Sequence, residues 1–346
     1  MFRFECDYSE CAHPLILKYL AAHAGEQNCT YCTDIYAEKM TKTIRELCKA
    51  PEAQLVFLNG GTATNVLAID AFLRRPFEAA VCAATGHINV HETGAVEYSG
   101  HKVIAVSCGA DGKLTPELIL PVLKKHESEH MVVPKLVYIS QSTEVGTIYS
   151  KAELTALSDF CHEHGLYLYL DGARIASALT AAENDLTLAD IAALTDAFYI
   201  GGTKNGLLQG EILVMLNPDI KDQIRWYIKQ KGFMLAKGFV VSMQFDYAFS
   251  TGLFFEMAKH ANAMAEKIRA AVESAGYSFY AKPQTNQLFV ILPDVLAEEV
   301  CEKFAAKVEA RLPDGKTAVR FVTSWATAEE GVRSLCEWFA KNVVNA

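Results

Sequence analysis

Two stretches decide the fold: residues 166–174 read LYLYLDGAR, and residues 198–206 read FYIGGTKNG. Each begins with an apolar and aromatic run of strand length and then turns to small or charged residues. In open α/β sheets, ligands bind beyond the carboxyl ends of the strands. Asp171 and Lys204 come just past the two predicted strands, so they are the first candidates for a functional site.

Further apolar runs of strand length lie on both sides of these stretches, bounded by Gly, Pro, Asp or Asn. The predicted strands are residues 54–58, 79–83, 102–106, 135–140, 166–170, 197–200 and 211–216. Helical patterns fill the gaps, as at 151–164, where apolar residues share one face and Gly165 stops the helix. This alternation predicts an α/β fold with a mostly parallel, seven-stranded sheet and crossover helices.

The pattern changes after about Gly238, where a long helical stretch reaches Ser274 and Gly276 ends it. Beyond it we predict strands near 287–292 and 319–323 and helices near 296–311 and 329–343. These elements indicate a smaller C-terminal α/β domain. We therefore expect a large domain over residues 1–250, with an N-terminal segment 1–35 near the active site, and a small domain over residues 251–346.

Size and charge narrow the class of protein. With 346 residues the chain is long enough for one large and one smaller core. Its net charge of -9 argues against nucleic acid as a main partner, because phosphate binding needs clustered Lys and Arg. The first ten residues, MFRFECDYSE, lack the pattern of a secretory signal, and no apolar stretch is long enough to span a bilayer. We therefore expect a cytoplasmic protein with no membrane partner.

Ten cysteines are scattered from Cys6 to Cys336. In a chain of this size they suit reduced, mostly buried thiols better than a disulfide framework. Cys29 and Cys32 form a lone CxxC pair, and without a second pair at zinc spacing ordinary packing is the favoured interpretation. We expect no metal site.

A third stretch, residues 55–65 with the sequence LVFLNGGTATN, predicts a strand, a glycine turn and the start of a helix. Glycines let a backbone approach an anion closely, and the free N–H groups of a helix start suit a phosphate. A tight turn with Thr62 as the helix N-cap is an equally good interpretation of this segment alone.

Taken singly, the two strand ends are also ambiguous. Asp171 suits the protonated nitrogen of a pyridoxal ring, but it is equally suited to cap a helix while paired with Arg174. Lys204 lies among small residues where an unhindered amine could bind an aldehyde, yet most loop lysines are solvated. Along the chain, a glycine turn suited to a phosphate is followed by an Asp at the end of one strand and then by a Lys at the end of a later strand. This order favours pyridoxal 5′-phosphate bound covalently to Lys204.

On these residues the chain resembles the fold-type I pyridoxal phosphate enzymes, and among them the low-specificity L-threonine aldolase and β-eliminating lyase family. The resemblance covers nearly the whole chain and is most specific at residues 171–174 and Lys204, followed by the strand at 211–216. It implies that Gly61 and Thr62 hold the cofactor phosphate and that Arg174 lies close to that phosphate or to the substrate carboxylate. It also places His87 against the cofactor ring.

The same resemblance assigns residues that approach the substrate. Arg320 matches the family's carboxylate-binding arginine, whose planar guanidinium makes two parallel hydrogen bonds. Asp7 and Tyr31 match positions in the N-terminal segment, in part supplied by a neighbouring subunit, so a homodimer or homotetramer is expected. The family offers basic residues to the phosphate in the stretch that holds Lys229, Lys231 and Lys237.

One position departs from the bacterial threonine aldolases. Residues 141–147 read QSTEVGT, so Glu144 stands where those enzymes carry a histidine beside the substrate side chain. A glutamate there could act as a base on a β-hydroxyl, directly or through water, or could mark a different side-chain preference.

The resemblance implies cleavage of the Cα–Cβ bond of a β-hydroxy amino acid, such as L-threonine or L-allo-threonine, to glycine and an aldehyde. His87 or Glu144 would remove the hydroxyl proton, with Asp171 beneath the cofactor. The alternatives are β-elimination or transamination of another amino acid, which would give pyruvate or a keto acid. A further alternative is a cofactor-binding carrier or regulator without turnover.

Overall fold

Seven strands with apolar cores form the main sheet of the computed structural model, which describes residues 2–220 and 223–344. Met1 and the last two residues of the predicted C-terminal domain lie outside the described residues. The strands are β1 (Gln54–Leu58), β2 (Glu78–Ala83), β3 (Lys102–Val106), β4 (Val133–Ser140), β5 (Tyr167–Asp171), β6 (Ala197–Gly201) and β7 (Glu211–Met215). Each observed strand overlaps a predicted one to within about two residues at either end.

The strand order is β1-β7-β6-β5-β4-β2-β3. Pairing is parallel throughout, except that β7 runs antiparallel to both of its neighbours, β1 and β6. The prediction of a mostly parallel seven-stranded sheet is confirmed. Because β7 is reversed, its first residue lies at the same edge of the sheet as the last residues of the parallel strands.

Both faces of this sheet are covered, which explains why its strands read as continuous apolar runs. Phe198 and Ile200 of β6 point into one hydrophobic core, whereas Ala197 and Tyr199 point into the other. The side chains alternate because successive Cβ atoms in a strand point to opposite faces. All five residues of β6 are buried.

Helices supply the two covering layers. The helices along the chain are α1 (Pro14–Ala22), α2 (Ile35–Cys48), α3 (Gly61–Phe72), α4 (His87–Val90), α5 (Ala95–Tyr98), α6 (Pro116–Lys125), α7 (Lys151–Glu163), α8 (Ile175–Leu179), α9 (Leu188–Leu194), α10 (Ile224–Gln230), α11 (Phe239–Ser250), α12 (Leu253–Ser274), α13 (Asp294–Phe304) and α14 (Glu329–Lys341). Within residues 2–220 and 223–344, none of them combines the length and apolar character needed to cross a bilayer.

The helical stretch predicted from Gly238 to Ser274 is two helices, so the prediction of one stretch is wrong. α11 ends at Ser250, and Gly252 takes a left-handed conformation (φ 77°) before α12 begins. The apolar spacing continues across this break, which hid it in the sequence. A glycine adopts positive φ at little cost, so the chain can change direction there.

A second sheet of three antiparallel strands, in the order β8-β10-β9, follows α12. Its strands are β8 (Gln287–Pro293), β9 (Lys307–Leu312) and β10 (Lys316–Val322). The helix predicted near 296–311 is therefore wrong in its last part, because α13 ends at Phe304 and Ala305 turns left-handed (φ 47°). β9 is an edge strand whose pairing with β10 outweighs the helical pattern.

α12 connects the two sheets. Its first turns, with Phe254 and Met257, pack into the core of the main sheet, whereas Ile268 and Val272 pack against the small sheet. Phe4 also packs into the small-sheet core, and its N–H donates to the carbonyl of Phe304 at 3.0 Å. The division into domains at residue 250 stays a prediction.

Candidate active site

A cavity of about 290 Å³ opens at the carboxyl edge of the main sheet. Residues that follow β1, β4, β5 and β6 line it, and the first residue of the reversed strand β7 completes that wall. Its lining comprises Tyr8, Gly60, Gly61, Thr62, His87, Ser140, Ser142, Glu144, Asp171, Ala173, Arg174, Tyr199, Thr203, Lys204 and Glu211. The three stretches singled out in the sequence thus meet in one place, because parallel strands end at the same edge.

Asp171 ends β5 and is buried at the floor of the cavity. Its Oδ2 accepts hydrogen bonds from the Tyr138 hydroxyl at 2.6 Å and from Asn65 Nδ2 at 2.9 Å. Its Oδ1 accepts from the N–H of Ala173 at 2.9 Å. The pairing with Arg174 considered above does not form, since the guanidinium of Arg174 binds Asp7 instead.

The pKa of Asp171 lies below its ordinary value despite burial. Burial alone would raise this pKa, but it is outweighed by the electrostatic interaction with nearby His87 and by hydrogen bonds from the Tyr138, Tyr199 and Asn65 side chains. The carboxyl group is therefore held ionised. The groups that hydrogen-bond to it are neutral, so this buried carboxylate presents a negative charge to the cavity, where it suits a cationic group.

Lys204 lies in a single 3₁₀ turn, Thr203–Asn205, directly after β6. Its side chain is partly buried and its Nζ lies 5.9 Å from the centre of the Tyr8 ring. Burial lowers the pKa of Lys204, and the positive charge of Arg174 lowers it further. Both effects increase the fraction of unprotonated amine, which is the form that attacks an aldehyde.

The glycine turn after β1 leads into α3, which begins at Gly61. Gly60 is the N-cap and no side chain caps this helix, so the interpretation of Thr62 as the N-cap is wrong. The first N–H groups of α3 therefore remain available to an anion. A Cβ on Gly61 would stand 3.0 Å from the Tyr199 hydroxyl, so a side chain there would crowd this wall.

His87 and Glu144 lie side by side on another wall. The backbone N–H of His87 donates to Glu144 Oε1 at 2.9 Å, and the Ser140 hydroxyl donates to the same oxygen at 2.6 Å. Burial raises the pKa of Glu144 above its ordinary value. A carboxyl group of this kind can exchange a proton nearer to neutral pH than an exposed one can.

Arg174 is held by a bidentate pair with Asp7, in which Nε lies 2.7 Å from Oδ2 and Nη2 lies 3.0 Å from Oδ1. Asp7 also accepts from Asn286 Nδ2 at 3.0 Å and is 1% exposed. Arg174 lines the cavity, whereas Asp7 lies behind it. The predicted substrate residue Asp7 is thus placed where it orients the guanidinium of Arg174.

Arg320 lies on β10, outside the cavity lining, and its Nη2 donates to the carbonyl of Glu5 at 3.2 Å. Its Nε is buried and finds no hydrogen-bond partner among the described residues. The charges of Arg320 and Arg174 both act on Tyr8, which does line the cavity. Arg320 thus lies outside the cavity lining and keeps one buried donor without a partner among the described residues.

The remaining predicted residues do not reach this cavity within one chain. Tyr31 lines a separate cleft beside β1, where its ring lies 5.3 Å from Lys229 Nζ. Lys231 forms an ion pair with Asp70 at 2.9 Å. Lys229, Lys231 and Lys237 are all absent from the cavity lining formed by the described residues.

Several residues of the site were not identified as candidates from the sequence. Asn65 and Tyr138 hydrogen-bond to Asp171, and Tyr199 lies beneath the Gly61 turn. Glu211 accepts from the N–H of Gly202 at 2.9 Å, and burial raises its pKa to about 7. Tyr138, Tyr199 and Glu211 fall within predicted strands. They are far along the chain from Asp171 or Lys204, so the sequence alone did not indicate that they lie in the same site.

The cavity fits pyridoxal phosphate in the chemistry of its groups. The ionised, buried Asp171 matches a protonated ring nitrogen, the partly buried Lys204 matches an aldehyde, and the uncapped start of α3 matches a phosphate. No cluster of three His, Cys, Asp or Glu side chains that could hold a metal ion occurs within residues 2–220 and 223–344. Together, the sheet topology and these groups define the class of fold-type I pyridoxal phosphate enzymes.

Within that class the chain belongs to the beta-eliminating lyase family, whose family model matches residues 14–294. The low specificity L-threonine aldolase of Pseudomonas aeruginosa is 30% identical over 320 residues, which cover 91% of this chain and 90% of the relative. A solved structure of Leishmania major threonine aldolase is 45% identical, has a TM-score of 0.96, and covers 99% of this chain and 100% of that chain. The family predicted from the sequence is confirmed, and the chain is a lyase.

More distant structures share the fold alone. A mutant of Thermus thermophilus aspartate aminotransferase is 16% identical with a TM-score of 0.72, and the match covers 96% of this chain and 89% of that chain. The prediction of a fold-type I architecture is therefore confirmed, independently of the aldolase relatives.

Proposed function

We propose that this lyase cleaves the Cα–Cβ bond of a β-hydroxy amino acid, such as L-threonine or L-allo-threonine, to glycine and an aldehyde. The observation that carries the proposal is that two groups able to accept a proton, His87 and Glu144, line the same cavity as Lys204 and Asp171, and that the backbone N–H of His87 donates to Glu144 Oε1 at 2.9 Å. The threonine aldolases of Pseudomonas aeruginosa and Leishmania major support it by their similarity over nearly the whole chain.

In this proposal pyridoxal phosphate is bound by Lys204, with Asp171 at its ring nitrogen and His87 against its ring. Gly61, Thr62 and Arg174, which line the same cavity, would bind the phosphate. When bound, the cofactor accepts the electron pair that is released at the α-carbon. Asp171 supports this role because its ionised carboxylate keeps the ring nitrogen protonated.

The chain's own residues bind and deprotonate the substrate. Arg320, which lies outside the cavity lining and has an unpartnered Nε, would bind the substrate carboxylate, and Arg174, which lines the cavity, would supply a second cation. Glu144 or His87 takes the proton of the β-hydroxyl, so that its oxygen becomes the aldehyde carbonyl. Burial raises the pKa of Glu144, which makes its carboxylate a stronger proton acceptor than an exposed one.

We also propose that the enzyme is a cytoplasmic homodimer or homotetramer with shared active sites. Its ten cysteines are all free, which suits a reducing compartment. Tyr31 is 39% exposed beside β1, away from its own chain's cavity, and in an oligomer it can contribute to the cavity of a neighbouring subunit.

The test is product analysis with purified enzyme and added pyridoxal phosphate. We expect L-threonine and L-allo-threonine to give glycine and acetaldehyde in equal amounts, while glycine alone gives no aldehyde. Formation of a keto acid without glycine would instead indicate elimination or transamination and would contradict the proposal.

A further inference from the structure

A buried carboxylate behind the cavity, Glu92, connects the groups on two of its walls. Its side chain has no exposed surface, and it follows His87 by five residues at the end of the short helix α4. Glu92 Oε1 lies 2.8 Å from His87 Nδ1 and accepts a second hydrogen bond, also of 2.8 Å, from Asn65 Nδ2. Glu92 does not line the cavity, so it can act only through its neighbours.

The orientation of Asn65 follows from its three partners. Its Nδ2 donates to Glu92 Oε1 and to Asp171 Oδ2, and its Oδ1 accepts from the Tyr169 hydroxyl at 3.0 Å. A flipped amide would direct its oxygen at two carboxylates and leave the hydroxyl facing an NH₂ group. Asn65 is fully buried, so the cost of such mismatches would be high.

We propose that Glu92 is a positioning residue that sets the tautomer of His87. An ionised carboxylate can only accept, so Nδ1 of His87 must carry the hydrogen and Nε2 is left with a free electron pair. The other Glu92 oxygen, Oε2, is buried and has no hydrogen-bond partner among the described residues, so Oε1 is the oxygen that makes both contacts. This inference rests on the proposed function, in which His87 is a proton acceptor.

The chemistry then balances at His87 Nε2. The O–H bond of the substrate's β-hydroxyl breaks, its proton bonds to Nε2, and the O–H electron pair forms the carbonyl of the aldehyde. The electron pair of the broken Cα–Cβ bond stays with the α-carbon, which later takes up a proton to become glycine. Without the Glu92 contact, His87 is free to place its hydrogen on Nε2, where it blocks this step.

Asn65 extends the arrangement to Asp171. Its two N–H bonds, of 2.8 and 2.9 Å, tie the carboxylate that orients His87 to the carboxylate beneath the cofactor ring. A displacement of Glu92 therefore disturbs both groups through one amide. Glu92, Asn65 and Asp171, which are buried, and the partly buried His87 act as a unit that aligns the base with the ring.

The test is long-range ¹H–¹⁵N NMR on holoenzyme labelled at histidine, with His87→Asn used to assign the resonances. We expect the wild type to show His87 with hydrogen on Nδ1. In Glu92→Ala we expect the Nε2–H form to appear, with kcat for aldehyde release about 10- to 100-fold lower and KM little changed.

Two further variants serve as controls. Glu92→Gln keeps an acceptor oxygen and should retain the wild-type tautomer with a smaller loss of kcat. Glu97→Ala, which removes an exposed carboxylate nearby, should change neither property.

A wild-type spectrum with the hydrogen of His87 on Nε2 would overturn the inference, whatever the variants do. So would an unchanged tautomer in a folded Glu92→Ala enzyme. If the wild type releases no aldehyde from any amino acid while His87 shows the Nδ1–H form, the proposed function fails and the assignment of Glu92 stands.

Discussion

Buried charge is what distinguishes the residues of this site. Asp171 is 4% exposed and ionised because Tyr138, Asn65 and a backbone N–H donate to it. The shift at Lys204 has the opposite effect on charge, since burial and the neighbouring Arg174 guanidinium lower the pKa of its amine. A carboxylate that retains its charge and an amine that loses its proton more readily both suit a pyridine cofactor bound by a lysine.

Replacing Asp171 by Asn tests the charge with little change of shape. We expect Asp171→Asn to keep the cofactor bound but to lower kcat by about 100-fold or more, because the amide cannot stabilise a protonated ring nitrogen. Tyr138→Phe, which removes one donor and leaves the carboxylate, should cause a smaller loss. Steady-state aldehyde release and cofactor content measure both effects, and Asp171→Asn with near wild-type kcat would refute the assignment.

Glu211 provides a test through pH. The folded protein raises the pKa of this carboxyl from an ordinary value of 4.5 to about 7. Unfolding therefore releases a proton between these pH values, so the stabilisation is present below the ordinary pKa and is lost as pH rises through about 7. Each pKa unit corresponds to about 1.4 kcal/mol, which limits the effect to about 3 kcal/mol.

Glu211→Gln should remove this part of the pH dependence. We expect the free energy of unfolding of cofactor-free wild type to fall between pH 5 and pH 8 relative to Glu211→Gln at the same protein concentration. Urea denaturation at both pH values gives the difference. The exposed substitution Glu97→Gln is the control and should follow the wild type; parallel curves for wild type and Glu211→Gln would show that Glu211 titrates normally.

The sequence predicted those site residues that directly follow strands or glycines, such as Asp171, Lys204 and Gly61. It did not predict Asn65, Glu92 or Glu211. Asn65 lies one turn into α3, and Glu92 reaches His87 only because α4 is a single turn. Such contacts depend on the direction of side chains across separate elements, and neither spacing nor composition records that direction.

At the level of elements, most strands of the main sheet were predictable because both of their faces are buried and their apolar runs are continuous, whereas the edge strand β3 is partly exposed. The predicted elements were wrong where the same pattern of apolar residues is compatible with two different structures. Residues 307–312 carry helical spacing but pair with β10, and the apolar spacing of α11 continues into α12 through a turn. Tertiary pairing decides the first case and the backbone of Gly252 decides the second.

The turn at Gly252 can be tested directly. Its φ of 77° is unfavourable for a residue with a Cβ, although a Cβ there would meet no atom within 4 Å. We therefore expect Gly252→Ala to lower the free energy of unfolding by about 1 to 2 kcal/mol through backbone strain alone. Gly25→Ala, also in open space but without positive φ, should be neutral or slightly stabilising. Equal values for the two variants in urea denaturation would contradict this account of the break.

At the scale of the whole molecule, the described residues that line the cavity belong to the main sheet and the elements around it, together with Tyr8 of the N-terminal segment. Arg320 of the small sheet lies outside this lining, and Asp7 lies behind it, where it pairs with Arg174. α12 packs into the cores of both sheets. The assignment of Arg320 on β10 to the same site as Lys204 after β6 stays a prediction from family resemblance, because no local pattern relates the two strands.

Subunit complementation tests the shared active site. If Tyr31 contributes to a neighbouring subunit, a mixed dimer of Tyr31→Ala and Lys204→Ala chains contains one site with both residues intact. Co-expression of the two inactive variants should then restore about a quarter of the wild-type aldehyde release. Each variant expressed alone is the control. No gain over these controls would place Tyr31 outside the site.

The measurement that tests the central claim most directly is covalent trapping of the cofactor. Holoenzyme reduced with borohydride and digested should yield one peptide that carries the mass of reduced pyridoxal phosphate on Lys204. Lys204→Ala, treated identically, should yield no labelled peptide and should release no aldehyde. A label on another lysine of the wild type, or a labelled and active Lys204→Ala enzyme, would contradict the account.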